Sequence, residues 1–283
     1  MSEQSTSQTV VVTRRVPGEI KIPGVAVRTG TGDLPTREKT MAMVAGADVV
    51  VTMFSDCVDD AFLDAAGEGL KGVCNFAVGH DNIDLDACKR RSVIVTNTPD
   101  VVTEGTADMA WALILAVARR IVPADRYARS EAYPARGPLA MDELLGADLT
   151  GRTLLIVGAG RIGFATAMRS IGWGMRVLYV ARSRHWDFEL APLAAERVSL
   201  DEGLERADVV SMHTPLTAQT HHLIDADGLA RMKRGAILIN TSRGPVIDEA
   251  ALAAALNNSS NSPSKSSNKM AEPFSLAPTS SAT

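Results

Sequence analysis

Short runs of β-branched and aliphatic residues at 10–12, 25–27, 49–52, 73–76 and 93–96 are separated by segments of helical spacing. One of these, 59–66, places Ala61, Phe62, Leu63, Ala65 and Ala66 where a helix would lay them on a sheet. This alternation predicts a parallel α/β sheet and a small first domain over 1–98. Pro99 then breaks the chain, and 103–121 reads as a long helix that is apolar nearly all round. Such a helix needs neighbours on several sides: it lies between domains or in a subunit interface, or it is a plain core helix. The stretch 126–149, with Pro134 and Pro138, reads as an irregular connection.

The rhythm resumes with strands at 153–157, 176–180, 209–213 and 236–240, a weaker one at 197–200, and a helix over 248–256. Strand and helix in strict alternation predict a doubly wound sheet whose ligand lies at the carboxyl ends of the strands, in a second domain over 99–256. From 257 to 283 the chain turns to Asn, Ser and Pro, a composition that buries too little to offset chain entropy, and it is expected to be disordered. Without a following strand, the 236–240 strand would be an open edge and the fold of low stability.

Strand 153–157 runs straight into Gly158-Ala-Gly160-Arg161-Ile162-Gly163. Glycine is needed first for a sharp turn, then for close approach of backbone to a pyrophosphate, then for packing of helix on sheet, and the helix beginning near Arg161 would aim its free N–H groups at that pyrophosphate. The next strand ends in Ala181-Arg182-Ser183-Arg184 with no carboxylate to hold a ribose 2′-hydroxyl. Two guanidinium groups and a hydroxyl suit the 2′-phosphate of NADP, with NAD as the alternative; the competing reading is that both arginines are solvated loop residues.

A formal net charge of -4, with no basic block, argues against nucleic acid or a membrane surface as partner. Cys57, Cys74 and Cys88 are odd in number and form no Cys-x-x-Cys, so neither a disulfide framework nor a metal site is expected. The polar first residues lack the layout of a signal peptide, and the apolar stretch 109–118 is too short to span a bilayer, which together give a cytoplasmic expectation.

Several segments together resemble one family, the D-isomer-specific 2-hydroxyacid dehydrogenases, and within it the glyoxylate and hydroxypyruvate reductases. They are Asn75 through Asp84, Asn97-Thr-Pro99, Thr106-Ala-Asp108, the glycine motif, His213-Thr-Pro-Leu-Thr217, and Leu238 through Gly244. The resemblance covers about 10–256. It implies a doubly wound Rossmann sheet, incomplete at its C-terminal end, beside a smaller flavodoxin-like α/β domain. It also implies hydride transfer between a nicotinamide cofactor and a small 2-keto acid, and a homodimer paired near Trp111. By the same resemblance the backbone amides of Val78 and Gly79 hold the substrate carboxylate. Thr106, Thr241 and Ser242 face the nicotinamide end; Arg161 and Ile162 follow the phosphate turn; His213, Thr214, Pro215 and Thr220 line the cofactor. Arg243 matches the catalytic arginine, which is apt chemically because a guanidinium can hold a carboxylate and polarise the adjoining carbonyl together. The alternative for Arg243 is a plain strand-end cap.

The family's proton-donating histidine and its glutamate partner follow the arginine, and this sequence has neither at a matching position: His80, His185, His213, His221 and His222 all precede Arg243. Impaired turnover is therefore expected, and the abrupt change after 256 is expected to reflect a frameshift, an altered splice or a gene-model error. The other functional readings are a catalytically inactive dinucleotide-binding remnant and a dinucleotide-sensing interaction protein.

Overall fold

A computed structural model of the protein describes residues 8–260 and 275–276. Its contacts divide the chain into two units after Val102. The first holds β1 (Thr9–Val12), β2 (Ala26–Thr29), α1 (Arg37–Val44), β3 (Val49–Thr52), α2 (Asp60–Ala66), β4 (Gly72–Asn75), α3 (Leu85–Arg90) and β5 (Ile94–Thr96). All its strands are parallel, in the order β2-β1-β3-β4-β5. One face of this sheet packs on Phe62, Leu63 and Ala66 of α2 and Ala87 and Cys88 of α3, as the spacing in 59–66 requires. Both helices start where an aspartate side chain takes an otherwise unpaired amide: Asp59 accepts from the Phe62 N–H and Asp84 from the Ala87 N–H.

The second unit opens with α4 (Thr103–Ala118), α5 (Ile121–Ala128) and α6 (Ala132–Arg136). Two expectations are corrected here. The helix expected over 103–121 stops at Ala118, because Arg120 takes a left-handed φ of 53° and starts α5 in a new direction. The irregular connection expected over 126–149 instead begins with the end of α5 and the short α6, and only after Arg136 does the chain lose regular structure. Of the nearly all-round apolar surface of α4, Ala107, Ala110, Trp111, Ile114 and Ala118 are buried, whereas Met109 is exposed. Arg169 fixes the first turns of α4 by donating to Asp108 Oδ1 (2.8 Å) and Glu104 Oε2 (2.7 Å).

There follow β6 (Thr153–Val157), α7 (Arg161–Arg169), β7 (Arg176–Val180), α8 (Trp186–Glu189), β8 (Glu196–Arg197), α9 (Leu200–Arg206), β9 (Val209–Met212), α10 (Ala226–Arg231), β10 (Ile237–Asn240), α11 (Glu249–Ser260) and β11 (Ser275–Leu276). The sheet order is β11-β10-β9-β6-β7-β8, every pairing parallel. Strand order reverses between β6 and β9, the switch point at which doubly wound sheets bind ligands. Burial of every residue of β6, β9 and β10 explains why they are almost entirely apolar.

The fully open edge expected at β10 is also corrected: the backbone of Ser275–Leu276 pairs with Ile237 and Leu238. The expected helix over 248–256 runs on to Ser260. The remainder of the segment expected to be disordered, 261–274 and 277–283, lies outside the described residues.

One device recurs in both units. The carboxylate of Asp48 takes the Thr9 N–H at the start of β1 and the Lys71 ammonium; that of Asp208 takes the Thr153 N–H at the start of β6 and the Lys233 ammonium. The first amide of each central strand precedes the ladder, and a carboxylate supplies its missing acceptor. Both sheets are thus pinned at their amino ends, leaving the carboxyl ends for chemistry.

Candidate active site

The three glycines after β6 differ in what surrounds them. Gly158 has φ 104°, and a Cβ there would lie 2.7 Å from the His213 carbonyl carbon and 2.9 Å from the Thr214 nitrogen, so the chain can turn only if this residue has no side chain. A Cβ on Gly163 would fall on the Gly158 carbonyl and 3.0 Å from Ile156 Cγ2, so close packing of α7 on β6 also excludes one. Gly160, by contrast, faces open space at the N-cap of α7, and no side chain caps that helix. Two glycines are therefore explained by the protein's own packing and the third is not, which is what a backbone cradle for a pyrophosphate requires.

The adjacent strands agree. Thr214 follows β9 and Thr241 follows β10; both hydroxyls are buried and have no hydrogen-bond partner among the described residues. Buried hydroxyls without partners are costly, and a polar ligand at these strand ends would satisfy them. The residues fit a dinucleotide. Thr106 and Ile162 are half-buried, on α4 and in the first turn of α7. Thr220 instead holds its own loop, its hydroxyl donating to the Pro215 carbonyl (2.6 Å) and accepting from the Thr217 N–H (2.8 Å).

His213 places its Nε2 2.9 Å from the buried Ser211 hydroxyl. Burial pushes its imidazole from 6.5 down to about 4, so it is neutral at physiological pH. Because an unfolded chain would bind a proton that the native state refuses, the neutral ring's contribution is complete above pH 6.5 and is lost as pH falls toward 4, by about 3 kcal/mol at most. Denaturant titrations at neutral pH and near pH 4.5 are expected to show a smaller acid loss in His213→Gln than in the parent. Parallel losses would disprove this.

At the end of β10, Asn240 staples the turn that carries Arg243. Its amide donates to the Arg243 carbonyl (2.8 Å), and its oxygen accepts from the Ser242 N–H (2.9 Å) and hydroxyl (2.8 Å). Arg243 is half-buried, extended in backbone, and donates from Nη1 to the Ser242 carbonyl (3.0 Å). At the end of β7, Arg182 and Ser183 are exposed, while Arg184 pairs with Glu189 and lies over Trp186.

The first unit carries a separate cluster at the carboxyl ends of β1, β3 and β4. Asp56 accepts from the Thr13 hydroxyl (2.6 Å) and the Met53 N–H (2.8 Å); Asn82 donates to the Asp56 carbonyl (2.8 Å); the Thr52 hydroxyl donates to Asn75 Oδ1 (3.1 Å). From this network Asn75 donates to the Gly79 carbonyl (2.7 Å), and Asn97 donates to the Val78 carbonyl (2.9 Å). With both carbonyls held, the Val78 and Gly79 N–H groups have no acceptor among the described residues. Adjacent unpaired amides of this kind suit a carboxylate. The anchoring roles of Asn75 and Asn97 were not legible in the sequence, although both stand in the motifs.

Among the described residues no group of three or more His, Cys, Asp and Glu could hold a metal ion, and no helix is long and apolar enough to cross a membrane. The family model for the NAD-binding domain of the D-isomer specific 2-hydroxyacid dehydrogenases matches residues 111–262. The chain belongs to this family. It is 48% identical over 223 residues to a glyoxylate reductase of Korarchaeum cryptofilum, an alignment covering 78% of this chain and 66% of that one. The chain thus spans just under two thirds of that relative's length. Among solved structures, the TT0316 protein of Thermus thermophilus superposes with a TM-score of 0.81 at 42% identity, covering 88% of this chain and 78% of that one. A D-lactate dehydrogenase of Aquifex aeolicus, solved with NAD and lactic acid, gives 0.75 at 29% identity, covering 89% and 74%. The expected family and fold class are both borne out.

Proposed function

We propose that this chain is an oxidoreductase that interconverts a small 2-keto acid, of the glyoxylate or hydroxypyruvate kind, and its D-2-hydroxy acid. The observation that carries this is the pair of Val78 and Gly79 amides, left without acceptors by anchored carbonyls, in a chain whose other unit has a dinucleotide turn. Each half thus offers one of the two recognition chemistries that the reaction needs. Gly158, Gly160, Arg161, Ile162 and Gly163 would hold the pyrophosphate, and Thr106, Thr214, Pro215, Thr220, Thr241 and Ser242 the remainder of the dinucleotide. A reduced nicotinamide, when bound, supplies hydride to a keto carbon. Val78 and Gly79 orient the substrate carboxylate, and the guanidinium of Arg243 stabilises the negative charge that develops on the keto oxygen.

NADP is the preferred cofactor in this reading, because Arg182, Ser183 and Arg184 stand where a carboxylate would otherwise select a 2′-hydroxyl. Pairing of two chains is part of the same reading, through the exposed Met109, Ile121, Val122 and Met141. Sedimentation as a monomer at micromolar concentration would remove that element.

A second reading has one observation in its favour. The new hydroxyl needs a proton, general acids typically contribute about 10²- to 10⁴-fold, and all five histidines precede Arg243. These 283 residues alone are then expected to bind dinucleotide and turn over weakly. Fluorescence titration with NADPH and NADH, followed by absorbance assays with glyoxylate and hydroxypyruvate, separates the readings. Saturable binding with turnover supports the first, and binding without turnover the second. No saturable binding on cooperatively folding protein overturns both.

A further inference from the structure

The rim at the carboxyl end of β7 contains a half-buried counter-charge. Tyr179, fully buried on β7, donates its phenol to Glu189 Oε1 (2.6 Å), and Arg184 donates from Nε to Glu189 Oε2 (2.5 Å). The guanidinium carbon of Arg184 sits 4.0 Å from the centroid of the Trp186 ring. Arg184 is thus clamped between an aromatic face and a carboxylate, and its Nη1 has no partner among the described residues. The Glu189 side chain is only 14% exposed, against 57% for Arg184, so solvent screens its charge poorly.

The loop itself is fixed from β8. Arg197 donates to the carbonyls of Ala181 (2.9 Å) and Arg182 (3.0 Å), so Arg182, Ser183 and Arg184 are presented by a tethered turn. Asp187, the other acid of this segment, is 58% exposed and faces His185 at 4.0 Å. Glu189 is therefore the acid that acts on the arginine rim. The Tyr179 phenol and the Arg184 guanidinium hold its carboxyl below the usual range, so it is ionised at neutral pH.

We propose that Glu189 is a specificity-determining residue, which locks Arg184 in place while cancelling part of the charge with which the rim attracts a 2′-phosphate. The proposal rests on the reading of this rim as the 2′-phosphate site. A phosphate held by the outward edge of Arg184 shares that guanidinium with a fixed carboxylate, and like charges sharing one cation repel. A 2′-hydroxyl meets no such repulsion. Glu189 therefore narrows the preference for NADP over NAD, and removing its charge widens it.

The test is Glu189→Gln, which keeps an acceptor for Arg184 and loses the charge, titrated with NADPH and NADH by fluorescence. The NADH-to-NADPH ratio of Kd is expected to rise about fivefold, through tighter NADPH binding with NADH unchanged, and the gain is expected to shrink at high salt. A ratio that stays put or falls overturns the proposal. Glu189→Met, which keeps the aliphatic stem, replaces the glutamine variant if that one fails to unfold cooperatively. Arg184→Met separates this inference from its premise. If the parent prefers NADPH and Arg184→Met abolishes the preference while Glu189→Gln changes nothing, the rim reading stands and the role of Glu189 falls. If Arg184→Met leaves the ratio unchanged, the rim reading falls and takes the proposal with it.

Discussion

Replacing Arg243 with alanine is expected to lower kcat/KM for a 2-keto acid about a thousandfold while changing the Kd for reduced dinucleotide less than twofold. The magnitude is that of removing a preorganised charged donor from a site where negative charge develops. The separation from cofactor binding follows from the turn: Asn240 holds the Arg243 backbone through its carbonyl, so shortening the side chain leaves Thr241 and Ser242 where they are. Arg243→Lys is expected to recover less than a tenth of the lost rate, because an ammonium offers a point charge where two parallel donors are needed. If turnover by the parent is weak, oxamate, an unreactive 2-keto acid mimic, reports the same interaction. Its affinity in the presence of reduced dinucleotide is expected to fall about a hundredfold in Arg243→Ala. Equal losses of oxamate and dinucleotide binding would show that Arg243 holds the turn together and would remove it from the chemistry.

The most legible elements were those that physics constrains on every side. β6 and β7 fall on the expected residues because the interior of a parallel strand covered on both faces must be apolar, as 154–157 and 177–180 are, leaving no ambiguity of period. The exposed edge strand β2 lies one residue later at its start, at Ala26, and extends to Thr29, since few of its side chains meet a core that would mark them. The prolines of 126–149 do not exclude a helix. Pro134 sits in the first turn of α6, where its missing N–H would have had no helical partner in any case, so it is compatible with that helix. Arg120 is the opposite case: nothing in the residue type announces a left-handed φ, yet it ends α4.

The candidate site divides in the same way. Glycine spacing is a backbone property and survives in one dimension, so the turn at 158–163 was visible at once. Arg182 and Arg184 were visible as charges, but the carboxylate that tempers one of them was not. Glu189 reaches Arg184 only because the chain folds back through α8, and its second partner is a tyrosine that reads in sequence as an ordinary core residue of β7. Asn75 and Asn97 are a further instance. Both stood in recognisable motifs, yet their work is to hold the carbonyls of Gly79 and Val78 from the ends of two strands, one four residues before its partner and the other nineteen after, and residue type alone does not announce that pairing.

The second large effect concerns the glycines, and it distinguishes a ligand site from a packing motif. Gly160→Ala meets no atom within 4 Å and replaces a residue with negative φ, so the folded protein has room for it. Its thermal midpoint is expected to fall by no more than a few degrees, the cost of alanine at an N-cap. Its affinity for NADPH and NADH alike is expected to fall about a hundredfold, because the added methyl occupies the space through which a pyrophosphate approaches the backbone. Gly158→Ala and Gly163→Ala are expected to do the reverse in order of cause: each forces backbone apart, at the His213–Thr214 peptide or at the Gly158 carbonyl, and each loses stability before any ligand is added. A large thermal loss in Gly160→Ala, or dinucleotide binding that tolerates it, would mean that the open face of Gly160 is not where phosphate rests. The arrangement would then be a tight strand-to-helix turn and nothing more. Agreement of all three variants with this order would place the ligand at the one glycine that the protein's own packing does not require.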